Sequence, residues 1–194
     1  MGGQRGRPRS EQARVAVLEA AGDLLLEGGL AAAHVEAIAG RAGVSKATIY
    51  KWWPNRGAVV LDGFLERVRH SLAIPEGLRT VAALEFQIGE LVALFRDPRI
   101  GSALRGIASE AQSDPELARA VRERWLAPRR AVTTAVLTAG VAAGDLRPDL
   151  DVELVMDQLY GPLYFRLMFG HGPLPDDLAH RLVNQLLHGI GHQD

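Results

Sequence analysis

Apolar residues recur at spacings of three and four almost throughout the chain, and β-branched runs are short, so the pattern predicts an all-α protein. Breakers and capping residues divide that pattern into helices. Ser10 is placed to cap a first helix that runs to about Glu27, where Gly28 and Gly29 stop it. A second helix is expected from about Val35 to Ala42, ended by Gly43; Ser45 caps a short third one that stops before Pro54. Asn55 caps a fourth, to about Leu72, and Pro75-Glu76-Gly77 breaks the chain. Beyond it, helices are expected at about 79–95, 99–111, 115–143, 151–169 and 176–189. Pro128 lies inside the third of these and should kink it, because proline removes a backbone donor.

The pattern of one helix differs from the rest. From Val152 to Phe169, 12 of 18 residues are apolar and they occupy every face, so the helix must be covered all round. Asp157, Arg166 and the Gly161-Pro162 interruption make it a poor membrane span, which leaves one face for the chain's own core and another for a partner. The following helix carries a single stripe through Leu178, Leu182, Val183, Leu186, Leu187 and Ile190. Together the two predict a four-helix contact between two copies, with Leu154, Leu159, Leu163, Leu182 and Leu186 at the interface.

Composition narrows the chemistry. The 194 residues include no cysteine, which excludes disulfides, thiolate metal sites and thiol catalysis and suits a reducing cytoplasm. No apolar run is long enough for a membrane span, and the start lacks the apolar core of a signal peptide. The net charge of −1 hides an asymmetry: residues 1–56 hold eight cations and five anions, a net +3, and the remainder is −4. Both of the chain's lysines, Lys46 and Lys51, fall in one predicted short helix. A basic front joined to an acidic remainder suggests a nucleic-acid or membrane module attached to something else. The domains expected are a basic arm at 1–9, a helical module at 10–74 and a larger helical domain at 75–194.

Within Val35 to Tyr50, Ala39 is small enough for two helices to cross closely, Gly43 can adopt a left-handed turn, and Ser45 can cap the next helix. Val35, Ile38, Ala42, Val44 and Ile49 supply an apolar seam. That is the layout of a helix-turn-helix, although an ordinary helical corner shares some of these features. The stretch from Arg14 to Leu61 resembles the DNA-binding domain of the tetracycline-repressor (TetR) family of bacterial transcription regulators. The resemblance centres on Ile38-Ala39, Ala42-Gly43-Val44-Ser45, Ile49-Tyr50, an aromatic before Pro54, and Arg56. It implies that 46–52 form the recognition helix, with Ser45, Lys46, Ala47, Thr48 and Lys51 toward the groove and Tyr50, Trp52 and Arg56 near phosphates of double-stranded DNA. Lysine and threonine can donate to bases or phosphates, and alanine can meet a thymine methyl. Two positions depart from the family pattern: His34 replaces a capping Thr or Ser, and Trp52 a commoner His or small polar residue. Trp53 is expected in the core. Arg5, Arg7 and Arg9 would form an arm able to reach a minor groove, or a disordered tail.

The resemblance further implies a homodimer on a palindromic operator and a small-molecule effector held in the C-terminal domain. Leu91, Leu104, Ile107, Trp125, Met156, Tyr160 and Tyr164 are nominated as the lining of an apolar or aromatic effector's pocket, although ordinary core is the better reading of each taken singly, because interiors are normally filled. No cofactor, catalytic set or metal site is expected: no phosphate-binding loop or nucleophile motif occurs, and His188 and His192 sit at a frayed, glycine-rich end. The function expected is a ligand-responsive transcription repressor. Competing readings are an architectural DNA-binding protein without effector, which would bind with little sequence preference, and an all-α enzyme acting in such a pocket.

Overall fold

The computed structural model describes residues 7–69 and 74–190. Among them there is no strand; ten α-helices follow in order: α1 (Arg7–Ala32), α2 (Val35–Ala42), α3 (Lys46–Tyr50), α4 (Arg56–Arg67), α5 (Thr80–Arg96), α6 (Pro98–Ala111), α7 (Pro115–Val121), α8 (Ala127–Ala142), α9 (Val152–Phe169) and α10 (Leu178–His188). Of the expected arm, residues 1–6 lie outside the described residues, and α1 opens at Arg7. The Gly28-Gly29 break is present as a kink, after which one further turn runs to Ala32. The helix expected at 115–143 is three pieces: α7, a π-helical turn at Arg122–Leu126, and α8. Pro128, in the first turn of α8, has no N–H for the carbonyl of Arg124, and the backbone widens in the turn before it.

Side-chain caps set the helix starts. Asn55 Oδ1 accepts from Ala58 N–H at 2.9 Å, Asp114 accepts from Glu116 and Leu117 N–H ahead of Pro115, and Asp151 accepts from Leu154 N–H at 3.0 Å.

Contacts divide the chain into two compact units. The first unit joins the described residues up to Arg69 with Ser102–Trp125. Its core includes Leu25, Ile38, Ile49, Leu61 and Phe64, and the returning segment adds Leu104, Ile107, Leu117 and Trp125. The return is fixed by specific packing: Trp125 lies on Phe64 with ring centroids 5.3 Å apart, and Leu30 covers the backbone of Gly106. Helices α1 and α4 cross where two glycines meet. A Cβ on Gly63 would stand 2.7 Å from the backbone nitrogen of Gly22 and 2.9 Å from the carbonyl oxygen of Leu18. Alanine is ordinarily the better helix former by roughly 1 kcal/mol. Here Gly63→Ala is expected to destabilise by about 1–3 kcal/mol, because backbone cannot step aside. Urea denaturation reads the sign; a stabilised variant would show a looser crossing.

The second unit joins the described residues of 74–101 with those from Leu126 onward. Leu84, Ile88, Leu91 and Val92 of α5 pack with Leu137 of α8, Met156, Leu159 and Leu163 of α9, and Val183 of α10. The all-round apolar helix α9 divides its faces as its pattern requires. One face is buried; the other leaves Leu154, Phe165 and Phe169 exposed by 53%, 55% and 73%. Leu159 and Leu163, both expected at the interface, are 1% and 0% exposed. Leu154 faces outward, and Leu182 and Leu186 of α10 are half-buried. The helix runs unbroken through Pro162, whose missing donor strands the carbonyl of exposed Gln158, within reach of water.

Candidate nucleic-acid interface

Helix α2 begins at His34, whose Nδ1 accepts from Ala37 N–H at 3.2 Å, so the imidazole does the capping that a hydroxyl would otherwise do. That role needs a ring with no proton on Nδ1. The helix ends at Gly43, which takes φ 65° and ψ 33°, and Val44 N–H closes the turn on Ala39 O at 3.0 Å. Extended Ser45 then caps α3: its Oγ accepts from Thr48 N–H at 3.2 Å. Ile38 and Ile49 are fully buried between the two helices, with Val35 and Ala39 beside them, which fixes the outward side of α3.

That outward side carries Ser45, Lys46, Ala47, Tyr50 and Lys51, all exposed. Thr48 is half-buried, its Oγ1 3.0 Å from Ser45 Oγ. Trp52 is half-buried and packs edge-on against Trp53 at 5.7 Å, while Trp53 is core. Arg56 does not join this surface. It donates to Leu30 O and pairs with Glu110 of α6, because its position at the start of α4 points it toward the end of α1. Behind the surface, Trp53 Nε1–H donates to Asp62 Oδ2 at 2.7 Å and Arg124 pairs with the other carboxylate oxygen. Asp62 thus ties the end of the helix-turn-helix to α4 and to the π turn.

The structure adds an acidic residue to the basic surface. Lys46 Nζ donates to Glu36 Oε1 at 2.8 Å, and that hydrogen bond with its charge lowers the Glu36 carboxyl to about 2. The folded value is depressed, so the pair's contribution is complete above about pH 4.5 and is lost only as pH falls toward 2. At neutral pH Glu36 is therefore ionised and paired with Lys46, whereas Lys51 forms no ion pair among the described residues. Glu36→Gln is expected to tighten DNA binding roughly two- to fivefold, and Lys46→Ala to weaken it less than Lys51→Ala does. Fluorescence anisotropy of labelled duplex measures the order; equal losses from both lysines would contradict it. Glu36, Asp62, Glu110 and Arg124 carry no signal in the sequence, because their partners lie 10, 9, 54 and 62 positions away.

The expected effector-lining residues are divided between the two units. Leu104, Ile107 and Trp125 belong to the core of the first unit, and Leu91 and Met156 to that of the second. Tyr160 and Tyr164 do line a cavity of about 200 Å³ in the second unit, shared with Arg129 and Arg130 at the start of α8. His188 donates to Asn184 O, and His192 lies outside the described residues. No helix among the described residues is long and apolar enough to cross a membrane.

Residues 17–62, which hold the helix-turn-helix, match the bacterial regulatory proteins of the tetR family, and residues 74–186 match the tetracyclin repressor-like C-terminal domain. The chain belongs to the TetR family. This TetR-family chain is 39% identical to the HTH-type transcriptional regulator YdeS of Bacillus subtilis over 190 residues, 98% of this chain and 96% of that one. The crystal structure of the TetR family transcription regulator SCO0332 superposes with a TM-score of 0.81 at 38% identity, covering 93% of this chain and all of the other. FadR of Bacillus subtilis, solved in complex with stearoyl-CoA, shares the fold at a TM-score of 0.70 and 22% identity, over 91% and 99% of the two chains. The protein is a TetR-family, helix-turn-helix transcriptional regulator, and α3 is the second helix of that motif.

Proposed function

We propose that the protein is a dimeric repressor whose hold on a palindromic operator is relieved by a small molecule. The observation that carries the DNA-binding part is the exposed side of α3, where Lys46, Ala47, Tyr50 and Lys51 face outward from a helix fixed by the Ser45 cap and the buried Ile49. Two copies of so short a helix, set one duplex turn or about 34–36 Å apart, would read two half-sites. A modestly basic module becomes an effective reader by being doubled.

The dimer is supported by the outward face of α9, where Leu154, Phe165 and Phe169 are exposed, and by Leu187 and Ile190 at the end of α10. The effector is supported by the cavity beside Tyr160 and by acyl-CoA bound to two FadR proteins of the same fold, one from Bacillus subtilis and one from Thermus thermophilus. An effector that prefers the state with lower operator affinity weakens DNA binding, and DNA weakens effector binding by the same factor, typically worth about 1–3 kcal/mol.

Selection of bound fragments from a random duplex library tests the reading. The expected product is an inverted repeat with half-site centres about 10 base pairs apart. Enrichment of no particular sequence would instead favour an architectural DNA-binding role.

A further inference from the structure

The starts of the two helices in the helix-turn-helix meet on the side away from the core. In α2, Val35, Ile38 and Ala39 are buried, which leaves Glu36 of the first turn exposed. Lys46 opens α3 and is exposed as well. The turn through Gly43 carries the chain back, so that Lys46 Nζ lies 2.8 Å from Glu36 Oε1 across ten positions of sequence. Side-chain caps hold both helix starts: His34 Nδ1 accepts from Ala37 N–H, and Ser45 Oγ from Thr48 N–H.

The pair contributes little to folding. Its side chains are 56% and 61% exposed, and ion pairs in that setting are weak. What it changes is the chemistry of the surface. An unpaired lysine is a mobile point charge suited to any phosphate; paired with Glu36, Lys46 brings no net charge, and its ammonium is held in one place with two of three N–H donors still to give. The carboxylate also keeps capacity to accept. Glu36 Oε2 stands 3.5 Å from His34 Nδ1, whose lone pair is engaged by Ala37 N–H, so the imidazole offers that oxygen no proton. The bond from Lys46, followed by the backbone N–H of Glu36 itself, holds the carboxyl down to about 2, so it is an acceptor throughout the neutral range.

We propose that Glu36 is a specificity residue, which together with Lys46 reads one G·C base pair of each half-site in the major groove. Guanine presents two neighbouring acceptors, N7 and O6, and its cytosine the N4 amine beside them. Two lysine donors next to one carboxylate acceptor match that row. An A·T pair alternates acceptor, donor and acceptor and adds the thymine methyl, so the lysine finds no two neighbouring acceptors there. Where the G·C pair is missing, the carboxylate faces groups that cannot donate to it, and its charge opposes nearby phosphates. The pair thus lowers affinity for DNA in general and raises discrimination. Lys51, with no ion pair among the described residues, is left to serve the backbone. The inference rests on the reading of α3 as the helix that enters the groove.

Selection from a random duplex library with the full-length parent, Glu36→Gln, Glu36→Ala, Lys46→Ala and Lys51→Ala, followed by competition anisotropy on the selected sites, decides the matter. The side chains replaced are exposed, so the variants should fold as the parent does. The parent is expected to require G·C at one position of each half-site, with about fivefold or more lost on its replacement by A·T. Glu36→Gln should reduce that preference to about twofold or less, because an amide can turn either its oxygen or its N–H to the base, and Glu36→Ala should do the same. Both variants should gain more affinity for random duplex than for the operator. Lys46→Ala should lose the preference at the same position, and the double variant Glu36→Gln/Lys46→Ala should lose no more, since the two act as a unit. Lys51→Ala should keep the selected sequence and bind every duplex more weakly. A parent motif without a required G·C pair, or an unchanged motif in both Glu36 variants, overturns the inference and leaves the sequence-specific regulator standing. Enrichment of no sequence by the parent removes that reading and the inference with it.

Discussion

Trp125→Ala is expected to cost about 3–5 kcal/mol of stability, a large part of the roughly 5–15 kcal/mol that holds a typical domain together. Trp125 is 1% exposed and rests on Phe64, itself fully buried, so truncation opens a cavity that two helices would have to close. The residue also ends the segment that returns to the first unit, beside Arg124 and its pair with Asp62. Its loss would loosen the scaffold behind the helix-turn-helix. Equilibrium urea denaturation checks this through the midpoint, with an unchanged slope showing that the transition is otherwise the same. A stability loss under about 1 kcal/mol would mean that Trp125 borders open space, as the sequence pattern allowed, and is not packed core.

Phe165→Glu is expected to convert the proposed dimer to a monomer and to weaken operator binding by about 100-fold or more, the benefit of linking two half-site contacts. The ring is 55% exposed and touches Phe169 and His171, its neighbours on the surface, at centroid distances of 5.0 and 4.5 Å. The core residues of α9 are untouched by the change, so the variant should fold. Sedimentation velocity gives the mass and anisotropy gives the affinity. A dimer of unchanged stability would place the interface elsewhere.

The helices were legible in the sequence because their ends are chemically marked. Ser45, Asn55, Asp114 and Asp151 each receive the backbone N–H groups that their type and position imply, and Gly43 adopts the left-handed turn that its place in the motif requires. The setting of α9 was not legible. A helix apolar on every face does not reveal which face meets its own core, and Leu159 and Leu163 turned inward while Phe165 and Phe169 turned outward. Nor does a proline say how a helix will yield: Pro128 produced a π turn where a kink was expected. The exposed residues of α3 followed from the motif, whereas Arg56 pairs with Glu110, which arrives from a segment 54 positions along the chain. The pocket was least visible. Of the seven residues expected to line it, Tyr160 and Tyr164 border the cavity between α8 and α9, and the other five are buried.

The central claim is that the exposed side of α3 makes the contacts with DNA. The most direct measurement is the salt dependence of operator binding, from about 50 to 300 mM, for the parent and for Lys51→Ala. Each lost phosphate contact removes about one counterion, so a dimer lacking both copies of Lys51 should show a slope smaller by about two and a weaker affinity at every salt concentration. Identical slopes and affinities for the two proteins would contradict the account and move the DNA-binding surface away from α3.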